Sequence, residues 1–123
     1  MSNILIQPNQ YFGKMLNPTT SAKIVGPCGD DMEFFVIIKD NIIFDVSFYT
    51  EKGCSHTRVA GAAVCSKVKC KEVFDALEVN AGTIIKEAGQ LLGDGRHCAI
   101  LAVTTFYRAI ALYLLQSENR AAK

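Results

Sequence analysis

Five cysteines in 123 residues carry most of the chemistry this chain could do. Cys28 follows Gly26-Pro27 and precedes Gly29-Asp30, Cys54 follows Gly53, and Cys98 follows His97. Each stands at the edge of a patterned segment, and Asp30 and His97 add ligand-type side chains beside two of them. A helix start presents unsatisfied N–H groups and a partial positive charge, which pushes a thiol toward thiolate, the form that binds metal or attacks sulfur. Three thiolates with a carboxylate or imidazole would suit zinc or an iron–sulfur cluster. The gaps between these cysteines match no standard finger, and there is no Cys-x-x-Cys pair. An isolated buried cysteine is also more often a small hydrophobe than a ligand. Position alone therefore leaves a metal site and packed thiols both open.

The other two thiols separate by geometry. Cys65 lies eleven positions past Cys54 on the same predicted helix, about 16 Å along its axis, too far to share one centre, and reads as core. Cys70, between Lys69 and Lys71, falls at a helix end where glycine would be favoured and reads as an exposed bystander. His56 points away from Cys54 and reads as a surface or capping residue. The rival chemistry is a Cys–His dyad. Neighbours on a helix do not face each other, so His97 and Cys98 are not expected to bond directly. A dyad would need Cys54 or Cys28 with His97. No thiol-protease signature surrounds them, and a small thiol-dependent hydrolase is kept as the alternative of a different class.

The elements that must position these groups are readable from hydrophobic period. Residues 33–38 form a short apolar run, and 42–49 alternate, with Ile42, Phe44, Val46 and Phe48 set against Ile43, Asp45, Ser47 and Tyr49. Asp40-Asn41 between them tolerate the left-handed backbone of a tight hairpin turn. After Gly53 the spacing turns helical through Val59, Ala60, Ala63, Val64 and Val68. Further helical segments are expected near 71–79 and 81–89, then a loop marked by Gly89, Gly93 and Gly95, then a long helix over about 97–116. Strands first and helices afterwards predict an α+β domain, a small antiparallel sheet of about three strands with helices on one face. One domain over residues 1–123 is expected, with an ordered core at about 17–116.

Composition narrows the classes. Half the residues are apolar, 20% are charged, and 13 basic against 12 acidic side chains leave a formal charge of +1. That argues against disorder and against a general nucleic-acid binder. No apolar run in the first twenty residues resembles a secretory signal, so a cytoplasmic protein with reduced thiols is the expectation. The last helix is long enough to span a bilayer, yet Arg108 sits at its middle, so a buried helix is expected and no membrane partner. On a helical wheel Ile100, Val103, Phe106, Tyr107, Ile110 and Leu114 share the predicted buried face, opposite Thr104, Thr105 and Arg108. Leu101, Leu112 and Leu115 fall on the polar side, where the N-terminal segment or a second subunit of a homo-oligomer would cover them.

These residues together resemble the IscU/NifU-type iron–sulfur cluster assembly scaffolds. The resemblance rests on Cys28-Gly29-Asp30 before the hairpin, on Phe48-Tyr49-Thr50 leading to Gly53-Cys54, and on His97-Cys98-Ala99-Ile100-Leu101-Ala102, and it extends from Asn17-Pro18 to Gln116. It implies a non-enzymatic scaffold that builds a transient [2Fe-2S] cluster from iron and from persulfide sulfur delivered by a cysteine desulfurase, then passes it to recipient apoproteins. By resemblance Cys28, Cys54 and Cys98 are the cluster thiolates, with Cys98 the persulfide acceptor. Asp30 tunes cluster lability, His97 can enter the coordination sphere, and zinc can occupy the same ligands. The chain departs from the family pattern in a shorter segment before Cys28, implying a reduced first strand and a more open site. It also has Ser55-His56-Thr57-Arg58 where small residues are usual, Cys70 where glycine is common, and Leu91-Leu92-Gly93-Asp94-Gly95-Arg96 in place of a Leu-Pro-Pro-Val-Lys stretch. The last departure argues against docking to a dedicated heat-shock-type chaperone.

Overall fold

Two apolar β-rich runs joined by residues that accept positive φ close into a hairpin. The computed structural model describes residues 10–27, 29–91 and 93–121. β2 (Asp31–Lys39) and β3 (Ile42–Tyr49) pair antiparallel around Asp40 and Asn41, whose φ values of 53° and 64° suit a hairpin turn. β2 starts ahead of the apolar run at 33–38, because Asp31 and Met32 pair with Val25 and Ile24 of β1 (Thr20–Val25). The sheet order is β1-β2-β3. β1 is short and half polar, which hides it from a search for hydrophobic period.

The alternation in β3 changes phase partway. Val46 and Phe48 face the core, but so does Ile43, while Ile42 and Phe44 are exposed. Ile37 pairs with Asp45 and Ile38 with Ile43, so Phe44 is an extra residue on β3. Such a bulge moves the residues before it to the opposite face. On the free side of β3, Tyr11 C=O accepts from Phe48 N–H at 2.9 Å and Gly13 N–H donates to Phe48 C=O at 2.8 Å. Residues 11–13 thus cover what would be an open edge.

α1 (Ser55–Val68) and α4 (Arg96–Ala121) pack on one face of the sheet, giving an α+β fold. The core joins Phe34, Val36, Val46 and Phe48 of the sheet to Val64 of α1 and Phe106 and Ile110 of α4. α2 (Val73–Ala76) is shorter than the expected 71–79 segment, with its first N–H groups bonded to the Glu72 carboxylate. α3 (Ala81–Glu87) is capped by Asn80. Two 3₁₀ turns, Gly89–Leu91 and Gly93–Gly95, occupy the glycine-marked stretch. Cys70 is exposed at φ 68°, the left-handed conformation expected where glycine is preferred.

The buried face of α4 is rotated from the one the wheel predicts. Val103, Phe106 and Ile110 are buried as expected, but so are Cys98, Ala99, Ala102, Thr105 and Ala109, whereas Ile100 is 56% and Tyr107 38% exposed. Small side chains define the seam, since alanine lets the helix approach the sheet closely, and the Thr105 hydroxyl is satisfied by the Leu101 carbonyl at 2.7 Å. Tyr107 donates its hydroxyl to the Val79 carbonyl instead of entering the core. Leu101 is buried against the turn between β1 and β2 at Gly26, while Leu112 and Leu115 are exposed. By length and composition Arg96–Ser117 could cross a membrane; half of its most apolar window is buried in the fold.

Candidate metal centre

Three chain segments meet at the sheet end where β2 begins. Asp30 precedes β2 and its carbonyl accepts from Gly26 N–H at 2.7 Å, closing the turn from β1. Cys54 is the N-cap of α1, and its side chain makes no capping bond, which leaves the sulfur available. His97 and Cys98 lie in the first turn of α4.

Asp31 fastens two of these segments together. Its buried carboxylate accepts from Thr50 Oγ1 at 3.1 Å, Glu51 N–H at 3.0 Å and Lys52 N–H at 2.7 Å. Burial works against its ionisation, but the hydrogen bonds from Glu51, Lys52 and Thr50 outweigh it and lower its pKa. Thr50 Oγ1 also accepts from Gly53 N–H at 2.9 Å. The loop leading to Cys54 is therefore tied to the strand end that carries Asp30.

One ligand atom each from Asp30, His97 and Cys98 lies within 4.8 Å of the others. Cys98 Sγ is 3.9 Å from Asp30 Oδ2 and 3.6 Å from His97 Nε2. The last contact corrects the expectation that these helix neighbours would not touch: in the exposed first turn the long imidazole reaches back to the sulfur. Cys54 joins through Thr57, whose Oγ1 is 3.6 Å from Cys54 Sγ and 3.5 Å from Cys98 Sγ and donates to Asp30 Oδ2 at 2.9 Å. Thr57 is buried at the centre of the site, and neither its type nor its spacing marks it in the sequence. The available signal was the departure from small residues after Cys54. Cys28 lies outside the described residues.

The thiols differ in acidity. Burial opposes ionisation of Cys54, yet the polar groups nearest it at the start of α1, the Thr57 hydroxyl and the Thr57 and His56 N–H dipoles, outweigh it and lower its pKa. This is the effect a helix N-terminus predicts. Cys98 goes the other way: burial first, then the neighbouring Cys54 and Asp30, push it up to about 11 against the Thr57 hydroxyl. Helix position is overruled there by desolvation. Such a thiol beside His97 is a poor activated nucleophile, which counts against a dyad of Cys98 itself with His97. Cys65 is fully buried and its pKa is raised well above the ordinary value by burial, as a core residue should be. His56 stands outside the ligand cluster and packs toward Gly95. A shallow hollow of about 280 Å³ beside the site is lined by Gly26, Pro27, His97 and Leu101.

The NifU-like N terminal domain family matches residues 9–120. The iron-sulfur cluster assembly scaffold protein IscU of Rickettsia prowazekii is 35% identical over 94 residues, covering 76% of this chain and 70% of that protein. IscU 1 of Archaeoglobus fulgidus, also an iron-sulfur cluster assembly scaffold protein, is 31% identical over 86 residues, 70% of this chain. The match spans 56% of that archaeal protein, little more than half its length. Among solved structures, a candidate iron-sulfur cluster assembly scaffold protein for the SUF system from Fervidobacterium islandicum superposes with a TM-score of 0.67 at 19% identity, covering 83% of this chain and 88% of that one. The N-terminal part of a NifU-like protein from Brucella abortus gives 0.63 at 13%, covering 82% and 83%. These two likenesses establish the shared fold.

Proposed function

The chain belongs to the NifU-like N-terminal domain family, and from that premise we propose that it is an iron–sulfur cluster assembly scaffold without turnover of its own. The observation that carries the reading is the convergence of Asp30, His97 and Cys98 within 4.8 Å, with Cys54 linked to the same point through Thr57. Cys28, Cys54 and Cys98 supply three thiolates to a [2Fe-2S] cluster, and Asp30 or His97 supplies the fourth ligand. A single oxygen or imidazole ligand among thiolates is the weak point through which a temporary cluster can leave.

Sulfur arrives as a persulfide on a cysteine desulfurase. Cys98 thiolate attacks the outer sulfur, a new S–S bond forms, and the desulfurase cysteine departs as thiolate. Conversion of that sulfur to sulfide takes two electrons from a reductant that a partner provides. Cys98 is buried with its thiol near pKa 11, so it reacts once bound iron has displaced its proton or the start of α4 has moved. The finished cluster passes to recipient apoproteins. The free thiols Cys54, Cys65, Cys70 and Cys98 suit a reducing compartment such as the cytoplasm.

Anaerobic reconstitution with iron and sulfide tests the reading. The visible absorption of a [2Fe-2S] centre is expected in the wild type, lost in Cys28→Ala, Cys54→Ala and Cys98→Ala, and kept in Cys65→Ala and Cys70→Ala. A full cluster in Cys98→Ala would sink the ligand assignment. The mixed sulfur, nitrogen and oxygen donors also favour a second occupant, tetrahedral zinc, in a sulfur acceptor of the same fold. Iron, zinc and acid-labile sulfide per chain distinguish the two.

A further inference from the structure

We propose that Thr57 is the positioning residue of this ligand set, its single hydroxyl hydrogen holding Asp30 beside the thiolates and out of the metal's shell. The inference rests on the scaffold reading and adds a residue and a role to it.

The geometry is that of a hub. Thr57 Oγ1 meets Asp30 Oδ2 at 2.9 Å, Cys98 Sγ at 3.5 Å and Cys54 Sγ at 3.6 Å, so ligand groups from three chain segments share one oxygen. A hydroxyl has one hydrogen and two lone pairs. The carboxylate can only accept, which assigns the hydrogen to Asp30 and leaves the lone pairs facing the two thiols, of which Cys98 can also donate to Asp30 Oδ2 at 3.9 Å. The residue is fully buried, and a β-branched side chain in a helix has few rotamers to choose from. Packing therefore holds the oxygen where it is.

Metal binding upsets this arrangement. Once the thiols have lost their protons, the sulfurs change from donors to acceptors, and three acceptors compete for one hydrogen. While it stays on Asp30 the carboxylate is held back. If it turns to a sulfur, Asp30 is released to coordinate. Thr57 thereby sets how readily the oxygen ligand enters, and with it how firmly the cargo is held.

The full chain is loaded with Co²⁺, whose visible bands report the ligand set, and the rate of cobalt loss to a chelator is followed. Thr57→Val keeps the shape and removes the hydrogen, so it should admit Asp30 as the weaker oxygen ligand, change the visible spectrum and speed cobalt loss by about tenfold. Thr57→Ser should behave as wild type, and in an Asp30→Asn background Thr57→Val should change neither readout. An unaltered Thr57→Val, slower cobalt loss, or an effect that persists in full without Asp30 each overturns the proposal. Absence of thiolate-to-cobalt absorption in wild type would sink the scaffold reading, and the metal-free chain then judges Thr57. There, thermal midpoints of Thr57→Val, Asp30→Asn and the double variant should be non-additive, because both changes remove one hydrogen bond. Additive shifts overturn the proposal whatever the metal does.

Discussion

The carboxylate of Asp31 accepts the backbone N–H of Lys52 at 2.7 Å, across the gap between the start of β2 and the loop that ends at Cys54. With the bonds from Glu51 and Thr50 it makes the β3–α1 connection a fixed frame. Asp30 and Cys54 belong to the two sides of that frame, so their relative placement depends on an acid that is not itself in the ligand cluster.

Asp31→Ala should therefore destabilise the protein by about 3 kcal/mol, since it leaves buried donors without a partner. Asp31→Asn keeps an acceptor oxygen and should lose less. The folded pKa of Asp31 lies below the unfolded carboxyl value of about 3.9, so folding favours the ionised form. Its contribution is complete above that value and disappears as the pH falls through the lower folded value. Denaturant unfolding of wild type and Asp31→Asn from pH 7 to pH 2 should show a gap that narrows below about pH 4.

Thiol labelling should follow exposure and acidity. In the metal-free protein at neutral pH, iodoacetamide should modify exposed Cys54 and Cys70 and leave Cys65 and Cys98 behind by at least about tenfold. The Cys54 rate should rise with a midpoint below that of an ordinary thiol, and Cys98 should respond only toward pH 11. Zinc should then protect Cys54 and spare Cys70. Peptide mass mapping reads all four sites, and a Cys98 that labels as fast as Cys54 contradicts the burial described.

What was legible in the sequence is what local rules decide. Asp40 and Asn41 announce their turn, Cys54 its helix start, and Cys70 its left-handed position, because each depends on the residue and its immediate neighbours. The phase of β3 was not legible, because the extra residue at Phe44 exists only relative to the partner strand. The face of α4 was legible at Val103, Phe106 and Ile110 and misjudged at Ile100, Tyr107 and Thr105, because alanines and Thr105 complete the seam, whereas a wheel weighs large side chains. The ligand-type residues Asp30, Cys54, His97 and Cys98 carry their chemistry in their type. Thr57 and Asp31 act through contacts with residues far along the chain, which no spacing rule encodes.

Gly53 and Gly61 should separate site from stability. A Cβ on Gly61 would lie 2.4 Å from Phe48 Cδ2, in the seam between α1 and the sheet. Alanine's better helix propensity, worth about 1 kcal/mol, should be outweighed by overpacking of about 1–3 kcal/mol or more against an aromatic ring with nowhere to go. A Cβ on Gly53 would meet Thr50 Oγ1 at 2.5 Å and Thr57 Cγ2 at 2.6 Å, so Gly53→Ala should displace the hub hydroxyl. Gly61→Ala should lower the thermal midpoint while the surviving folded protein binds zinc normally. Gly53→Ala should weaken zinc binding by about tenfold or more, the range typical of disturbed outer ligands. Zinc titration beside thermal unfolding compares them.

Cys70→Gly should stabilise the protein. Cys70 holds φ at 68°, where a side chain costs about 1–2 kcal/mol, and its thiol is exposed and outside the ligand cluster. Its N–H donates to the Ile43 carbonyl at 2.8 Å, and that bond belongs to the backbone, so glycine keeps it. Against the relief stands the extra freedom glycine gains in the unfolded chain, about 0.5–1 kcal/mol. The difference leaves a net gain of up to about 1.5 kcal/mol, readable as a higher denaturant midpoint with an unchanged slope. Cys70→Ala removes the sulfur and keeps the Cβ, so it should give no such gain. A Cys70→Ala variant as stable as Cys70→Gly would mean that the thiol, and not the backbone angle, is the source of the strain.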